Sequence, residues 1–405
     1  MTSLRIKDVA RINRNMLPES TDPNFRFRYI DIGSVDSLGR VTIPDEEVNF
    51  SSAPSRARRL APAGAVVVST VRTYLRAIAR VPEVATPLVF STGFAVLEAG
   101  TQIDSRFLAH YCQSQIFVEE VVARSVGVSY PAINAADIGN LPIVLPDREE
   151  QRRIADFLDT ETSRIDALNA SRSAQLNLLT EREREMLDLS FRKARSGTRT
   201  RLKYLFSVRP RYGVLVPVFT DEGVPFIRVN DLLDLEGRAA GLRNIPSELS
   251  AQYARSIVRP GDLLMSVVGT LGRAAIAPAS LAGANIARAV CSMRFTPDIE
   301  VQLVKAWLGT SSFRNQADVA TSTDTAQPTL GMEDLGNFSL TWPSDSQERK
   351  HMVREIDRIQ GSMRSLSDKL ERQKSVLAER RQAVITAAVT GQIDVSTASG
   401  RGIEE

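Results

Sequence analysis

The 405-residue chain contains little that could support covalent cross-links, metal clusters or a membrane anchor. Its only cysteines, Cys112 and Cys291, lie far apart without a C-x-x-C partner, which argues against a disulfide framework or a zinc ligand set and predicts two buried thiols. Residues 1–10 lack the basic-then-apolar layout of a secretory signal. The longest weakly polar run, residues 60–71, is shorter than the roughly 18 residues that a membrane span needs. We therefore expect a soluble, cytoplasmic protein.

Motifs for nucleotide binding and catalysis are also missing. Residues 269–273 have neither the spacing nor the lysine of a phosphate loop, and no G-x-G-x-x-G opens a predicted helix. The adenine-methyltransferase signature, Asn or Asp followed by Pro-Pro and an aromatic residue, does not occur. The two histidines, His110 and His351, fall in predicted helices, and no carboxylates are paired as a nuclease or glycosidase requires. The sequence therefore predicts a chain that is not itself an enzyme and carries no cofactor or metal ion.

The composition, 43% hydrophobic and 24% charged, is typical of a globular protein of two or three domains. The formal charge of +3 permits nucleic-acid binding without requiring it. Arginine heavily outnumbers lysine, and a planar guanidinium can bind a guanine edge or a phosphate through two hydrogen bonds. A genome rich in G and C would produce the same excess, so composition leaves both explanations open.

The chain repeats itself over nearly its whole length. Residue 29 aligns with residue 226, residue 63 with residue 260 and residue 131 with residue 328, each 197 positions later. Each copy begins with about 145 residues of short β-branched runs between glycines and prolines, which predicts a strand-rich domain with a few helices. Residues 105–122 and 302–316 are predicted to be two of those helices, with their aromatic residues in the core.

Each copy ends in a long predicted helix that starts at Pro146–Asp147 or at Pro343 with Ser344 or Asp345. Both helices carry a narrow apolar stripe, which is typical of a helix that pairs with another helix. The stripe of the first copy repeats every 11 residues and consists of Ile154, Phe157, Ile165, Leu168, Leu176, Leu179 and Leu187. The stripe of the second copy repeats every 7 residues and consists of Ile356, Ile359, Met363, Leu366, Leu370, Leu377 and Val384.

A 7-residue apolar repeat favours a left-handed supercoil and an 11-residue repeat favours a right-handed one. A pair of helices with one repeat each is therefore predicted to be nearly straight, and we expect the two helices to run antiparallel. At about 1.5 Å per residue, roughly 45 residues make a rod of about 65 to 70 Å. Such a rod would hold two DNA-contacting domains at a fixed distance and turn two weak contacts into one strong contact. A coiled coil that only dimerises the chain is the alternative.

These features resemble the specificity subunits of type I restriction-modification systems. The resemblance rests on the duplicated order of domain and long helix and on three phrases. The first phrase is residues 58–64, and the second is its counterpart 256–266, which is closer to the Gly-Asp strand of that family. The third is the helix-entry phrase, residues 141–146 followed by 150–154. The second copy departs from the helix-entry phrase, because residues 338–343 lack its first proline and Gln347–Glu348 inverts its Glu-Gln pair.

The resemblance implies an α+β fold with two tandem target-recognition domains, each followed by a long helix, and an antiparallel coiled coil of the two helices. The implied boundaries are 1–145 and 198–342 for the recognition domains, 146–197 and 343–395 for the helices, and 396–405 for a tail. In this family each domain reads half of a split site in double-stranded DNA, and the helices dock two DNA adenine methyltransferase subunits. S-adenosylmethionine, ATP and Mg²⁺ are then expected on the partners, which can include a restriction and translocation subunit.

Base-reading side chains are expected on loops next to strand ends. Arg76 and Arg273 are the same residue type at positions 197 apart, which favours a role in phosphate binding or in the scaffold that both copies share. Positions whose residue types differ between the copies are better candidates for reading two different half sites. A solvated loop or a buried salt bridge is the alternative at every position. The candidates for DNA contact are Arg72, Tyr74, Arg76, Ser129, Tyr130, Asn134, Arg228, Asn230, Thr270, Arg273, Thr325 and Gln327.

Two other classes of protein remain open. A non-enzymatic coiled-coil scaffold with protein-binding ends would bind DNA weakly or without salt dependence. A stand-alone nuclease or methyltransferase would require a site that the sequence does not reveal.

Overall fold

A computed structural model describes residues 2–322 and 328–395. The chain divides into two compact units. Unit 1 comprises residues 1–172 and 371–405, and unit 2 comprises residues 173–370. The predicted tail, 396–405, lies outside the described residues.

In the residues that the structure describes, unit 1 is built on three sheets and four short α-helices. The order β2-β9-β6-β7 forms an antiparallel sheet, β4-β3-β8-β5 forms a second sheet in which β3 and β8 are parallel, and β1 pairs with β10. Its elements before the first long helix are β1 (Thr2–Arg5), α1 (Ile6–Val9), β2 (Ala10–Ile12), β3 (Arg26–Ile30), β4 (Val48–Asn49), β5 (Ala57–Leu60), β6 (Val66–Ser69), β7 (Ile78–Arg80), β8 (Leu88–Ser91), β9 (Phe94–Ala99), α2 (Ser105–Gln113), α3 (Gln115–Ala123), α4 (Ala135–Gly139) and β10 (Pro142–Leu145).

Strand β6 shows why the central strands are apolar without alternation. Side chains on a strand point alternately to its two faces. Val66 and Val68 therefore lie in one core, with α2, α3 and α4, while Val67 lies in a second core between the two sheets. Both faces of the first sheet are covered, so every position of β6 is buried.

Unit 2 repeats this arrangement with one strand fewer. Its sheets are β12-β18-β15-β16, β14-β13-β17 with β13 and β17 parallel, and β11-β19. A 3-10 turn, Ala254–Ser256, stands where unit 1 has β5. Its elements between the long helices are β11 (Gly197–Arg201), β12 (Phe206–Tyr212), β13 (Val224–Ile227), β14 (Arg243–Ile245), α6 (Ser247–Gln252), β15 (Leu263–Ser266), β16 (Ala274–Ile276), β17 (Asn285–Ile286), β18 (Val290–Phe295), α7 (Val301–Trp307), α8 (Ser311–Ala320), α9 (Met332–Asn337) and β19 (Ser339–Pro343).

The helices predicted over residues 105–122 and 302–316 are each two helices, so that prediction was wrong in detail. Ser114 ends α2 and caps α3, because its hydroxyl accepts from Phe117 N and donates to Tyr111 O (2.7 Å). Thr310 does the same between α7 and α8. A hydroxyl residue with extended backbone provides both a stop and a start for helices.

The long helices are α5 (Arg148–Arg192) and α10 (Ser346–Val389). Asp147 and Asp345 accept backbone N–H groups at the two starts, which confirms the predicted entries. In unit 1 the first part of α5 packs on the last part of α10, and Arg381 Nε lies 3.0 Å from Asp166 Oδ1. The helices therefore run antiparallel, and the predicted fold class is confirmed.

The ends of both long helices belong to the globular cores. Ile154 lies in the main core of unit 1, and Leu187 and Ile356 lie in the main core of unit 2. The same cores also hold residues of the other long helix, because Ile385 of α10 lies in the core with Ile154, and Ile356 of α10 lies in the core with Leu187. The pairing role of the three residues therefore stays a prediction, to which the structure adds burial in a globular core. Leu168 and Leu366, nearer the middle of each helix, are 41% and 45% exposed. Burial thus concentrates where a helix end meets a globular core.

The helix-entry phrase of the second copy also needs a correction. Gln151 is buried and accepts Asp104 N (2.8 Å) while donating to Pro146 O (3.0 Å). Arg349 occupies the same place in unit 2 and donates to Pro343 O (3.1 Å). Glu348–Arg349 is therefore the structural counterpart of Glu150–Gln151, at an offset of 198 instead of 197. The pair Gln347–Glu348 is not an inverted copy of Glu150–Gln151.

Candidate nucleic-acid interface

Two loops of unit 1 lie side by side and carry six of the candidate residues. Loop A (70–77) follows β6, and loop B (124–134) follows α3. Val71 and Val126 each form a β-bridge with Ala132, so the loops share a short backbone ladder. The hydrogen bonds that join them run from Arg72 N to Pro131 O (2.7 Å) and from Ile133 N to Thr70 O (2.9 Å).

Loop A holds a strained turn that exposes an aromatic side chain. Arg72 and Arg76 both adopt the left-handed conformation, with φ of 49° and 55°. Such a conformation costs about 1 to 2 kcal/mol for a residue with a Cβ atom, so surrounding contacts must hold it. Tyr74 and Leu75, between them, are 54% and 45% exposed. The turn therefore presents large side chains outward from a fixed backbone.

Arg72 and Tyr130 form one exposed pair across the two loops. The Arg72 guanidinium lies 4.7 Å from the centre of the Tyr130 ring, and Tyr130 is 66% exposed. Stacking on an aromatic face leaves the edges of the guanidinium available for hydrogen bonds. This arrangement suits a guanine edge or a phosphate. Ser129 and Asn134 are also exposed in loop B, and the Asn134 side chain does not cap α4.

Arg76 differs from Arg72 in its environment. Its guanidinium donates to Gln115 at the start of α3, and burial lowers the pKa of Arg76 while nearby Glu119 opposes the shift. Hydrogen bonding to the fold supports a scaffold role for this residue, one of the two roles expected from its repeat position.

Unit 2 retains the same backbone pairing. Gly269 N donates to Pro328 O (3.0 Å) and Leu330 N donates to Val267 O (2.8 Å), each 197 residues after its counterpart. Thr270 is exposed on this loop, and its carbonyl accepts from the Ser266 hydroxyl. Thr325 and Gln327 lie outside the described residues.

The remaining candidates of unit 2 are partly committed to internal contacts. Arg273 Nη1 lies 3.5 Å from Asn230 Oδ1, which brings two candidates together. Arg228 Nε lies 3.2 Å from Asp231 Oδ2, and the Asp231 side chain is only 5% exposed. The charge of Arg228 is therefore balanced within the fold. A spacing of three residues between Arg228 and Asp231 was visible in the sequence and could have indicated this pair.

Four exposed arginines of unit 2 were not among the binding residues predicted from the sequence. Arg209, Arg211, Arg255 and Arg259 line one groove of about 460 Å³. The alternating Arg-Pro-Arg of β12 is a signal that could have identified two of them, since alternate residues share one face of a strand.

Other polar groups have structural environments. Cys112 and Cys291 are free, buried thiols, as predicted, and burial raises the pKa of Cys291 to about 12. His110 is buried, with Nε2 2.8 Å from Asp159 Oδ1. Within residues 2–322 and 328–395, no three His, Cys, Asp or Glu side chains are arranged to hold a metal ion. None of the helices that the structure describes is both long and apolar enough to cross a membrane.

Comparisons with known proteins agree with this architecture. The family profile described as type I restriction modification DNA specificity domain matches residues 1–178. The type I restriction enzyme EcoBI specificity subunit of Escherichia coli is 25% identical over 320 residues, which are 72% of this chain and 66% of that subunit. The match thus spans slightly less than two thirds of that relative.

Two solved structures align over nearly the full chain. A chain from work on complex assembly and conformational transition of the type I R-M system has a TM-score of 0.69 and 24% identity, over 97% of this chain and 98% of that one. The HsdS subunit from Thermoanaerobacter tengcongensis is 24% identical over 97% of each chain, with a TM-score of 0.46. The first of these shares the fold described above, a duplicated α+β unit with paired long helices. Residues 1–178 thus match the DNA specificity domain of type I restriction-modification systems, and the chain is similar in sequence to a specificity subunit of such a system.

Proposed function

We propose that this chain recognises a bipartite sequence in double-stranded DNA, with one half site read by each unit. The observation that carries the proposal is the duplicated backbone pairing beside β6 and β15, which positions different side chains in the two copies. Arg72, Tyr74 and Tyr130 are exposed in unit 1, and at the 197 offset the sequence has Gly269, Leu271 and Gln327 in their places. One frame with two sets of side chains is suited to two different half sites.

The long helices set the spacer between the half sites. Each is a continuous helix of 44 or 45 residues, and at about 1.5 Å per residue its length is about 66 to 68 Å. Adding or deleting one helical turn in both α5 and α10 is expected to change the spacer and preserve both half sites. Altered half sites with an unchanged spacer would refute the role of the helices as a ruler.

Two DNA adenine methyltransferase subunits dock on the helix pair. Support comes from apolar side chains near the helix middles that are exposed in this chain, such as Leu178 at 63% and Val376 at 61%. In unit 1 a shallow apolar depression of about 310 Å³ is lined by Leu168, Val376 and Leu377 together with polar neighbours. Exposed apolar surface on paired helices is typical of a protein-binding site.

The chain supplies specificity, and its partners supply chemistry. Methyl transfer requires S-adenosylmethionine, and DNA translocation and cleavage require ATP and Mg²⁺, so these cofactors belong to the methyltransferase and restriction subunits. Methyl transfer by the purified chain alone would contradict this division of labour.

The deciding experiment is a genome-wide map of adenine methylation in the source cell, with and without this gene. Loss of one split motif, methylated on both strands, is the expected result and would reveal both half sites. An unchanged map, with the methyltransferase partner expressed, would favour the coiled-coil scaffold instead.

A further inference from the structure

The arginine groove of unit 2 is formed by a strand edge and a short turn. Its floor is β12 and β18, and its wall is the segment 254–259 that follows α6. Arg209 and Arg211 project from β12, which lies at the edge of its sheet, and Arg255 and Arg259 project from the wall. Four long cationic side chains therefore line one open groove.

These four arginines are not neutralised by the protein. None of them forms an ion pair with a carboxylate of the described residues, although Arg259 donates its backbone N–H to Asp262 Oδ2 (2.9 Å). Asp262, which contacts the groove residues Ser292 and Arg294, is already bound through both oxygens by Arg294, at 2.7 and 2.6 Å. Uncompensated arginines at close quarters repel each other, so an anionic ligand relieves that cost.

Unit 1 places different side chains at the equivalent surface. Glu98 takes the position of Arg294, opposite Arg11 of β2, and accepts Asn15 Nδ2 (3.0 Å). Arg58 stacks on Phe50 at 4.7 Å, and Arg59 is partly buried beside Met16. Arg58 and Arg59 of unit 1 are thus packed against its own side chains, and Arg11 lies opposite an acidic residue.

The groove adjoins the loops that carry the candidate base contacts of unit 2. The hydroxyl of Tyr212, at the end of β12, donates to Leu330 O (2.9 Å). Leu330 in turn pairs with Val267, two residues before Gly269. A DNA duplex read by these loops would therefore have its sugar-phosphate backbone close to the arginine strand.

We propose that Arg209, Arg211, Arg255 and Arg259 bind the DNA phosphate backbone next to the half site of unit 2. The proposal rests on the proposed function, since it assigns these residues to the same DNA ligand. Guanidinium groups bind phosphate through two parallel hydrogen bonds, and phosphate contacts fix register without reading sequence. Unit 2 then holds DNA largely by charge, whereas unit 1 places different side chains at this surface.

The test uses the full-length chain assembled with its methyltransferase partners and a duplex that carries the methylated split motif. Binding is measured from 50 to 200 mM salt for the wild type, the quadruple alanine variant and the quadruple lysine variant of the four arginines. Each lost phosphate contact lowers the slope of log K against log salt by about 0.9, so the alanine variant is expected to lose about 3 to 4. The lysine variant retains the charge, so its slope should stay near that of the wild type.

The outcomes separate the two proposals. A wild-type complex without preference for the split motif would overturn the proposed function itself. A selective wild-type complex, with an alanine variant of unchanged slope, would overturn only the role of the groove. A reduced slope with a changed methylation motif would mean that the groove reads bases, which also overturns the phosphate role. If the alanine variant does not fold, the pairs R209A/R211A and R255A/R259A are each expected to lose about half of that slope change.

Discussion

The two units share a backbone and differ in what they place on it. The hydrogen bonds that join the loops after β6 and β15 recur 197 residues apart, and a hydroxyl breaks the helix pair at Ser114 and at Thr310. The surfaces diverge, because a β-strand in unit 1 is a 3-10 turn in unit 2, and four exposed arginines line a groove of unit 2. Backbone hydrogen bonds tolerate many side chains, so a duplicated frame can persist while its two surfaces acquire different ligands.

The largest difference in stability is expected at the helix entries. Arg349 is buried, pairs with Glu300 and donates to three carbonyls, whereas Gln151 forms only neutral hydrogen bonds. R349A is expected to reduce the free energy of unfolding of unit 2 by about 3 to 5 kcal/mol, because it leaves the partly buried carboxylate of Glu300 and three carbonyls without their partner. Q151A should cost unit 1 about 1 to 3 kcal/mol.

Denaturant unfolding can measure these losses one unit at a time. Both tryptophans of the chain, Trp307 and Trp342, lie in unit 2, so their fluorescence reports its unfolding, and far-UV circular dichroism reports both units. Equal losses for R349A and Q151A would mean that the buried ion pair adds nothing beyond hydrogen bonding.

The independence of the units can be tested at the helix ends. Leu187 lies in the core of unit 2 and Ile385 in the core of unit 1. Each alanine variant should cost its own unit about 2 to 5 kcal/mol, and L187A alone should shift the tryptophan transition. Leu178, 63% exposed, is the control, and L178A should change stability by less than about 0.5 kcal/mol. A shift of the tryptophan transition by I385A would show that the units unfold together.

The candidate loops of unit 1 offer a matched pair of arginines. Arg72 stacks on exposed Tyr130, and Arg76 is tied to Gln115. R72A is expected to weaken specific DNA binding by about 1 to 3 kcal/mol and to relax the motif in one half site only. R76A should instead lower the stability of unit 1. Methylation mapping and calorimetry of both variants would measure this, and relaxed specificity in both half sites would contradict the division between units.

The smallest effect concerns acid stability in unit 1. Burial tends to raise the pKa of Asp159, but the hydrogen bond and charge of His110, with the charge of Arg106, bring it below its usual value. A lowered pKa in the folded state stabilises the protein at neutral pH, and this contribution is lost as the pH falls through that pKa. D159N should therefore cost less than about 1 kcal/mol at pH 7, given the exposure of the pair, and this cost should shrink as the pH falls through the pKa of Asp159 in the folded state.

Asp357 is the matched control for this pair. It occupies the equivalent place on α10, where Ala306 replaces the histidine. D357N should show a weaker dependence of stability on pH, measured by urea unfolding between pH 3 and 7. A stability difference for D159N that persists at pH 3 would mean that the pair acts through packing.

Much of the fold could be predicted from periodicity and repetition. The apolar runs around Val67 and Leu264 predicted central strands, and the Asp147 and Asp345 caps predicted where the long helices begin. The apolar stripes predicted helix pairing correctly, but a stripe does not disclose its partner. For that reason the sequence did not show that Ile154 and Leu187 also lie in the globular cores of the two units.

The candidate site was harder to predict, because the state of an arginine depends on distant neighbours. Arg76 and Arg72 look alike in the sequence, yet Gln115, 39 residues away, separates their environments. The break at Ser114 was missed since a hydroxyl within an apolar helix pattern is compatible with continuation. Arg255 and Arg259 face Arg209 only through the packing of a turn on a sheet, which no local pattern reveals.

The division of the chain also bears on the order of synthesis. Unit 2 is one uninterrupted stretch, 173–370, whereas the main core of unit 1 includes Ile385, Ala388 and Val389 from the end of α10. On the ribosome, domains generally fold in order from the N-terminus. In this chain all residues of unit 2 are synthesised before unit 1 is complete. The main core of unit 1 stays incomplete until the end of α10 leaves the ribosome. A stop codon within the last turns of α10 would therefore damage the unit whose synthesis began first.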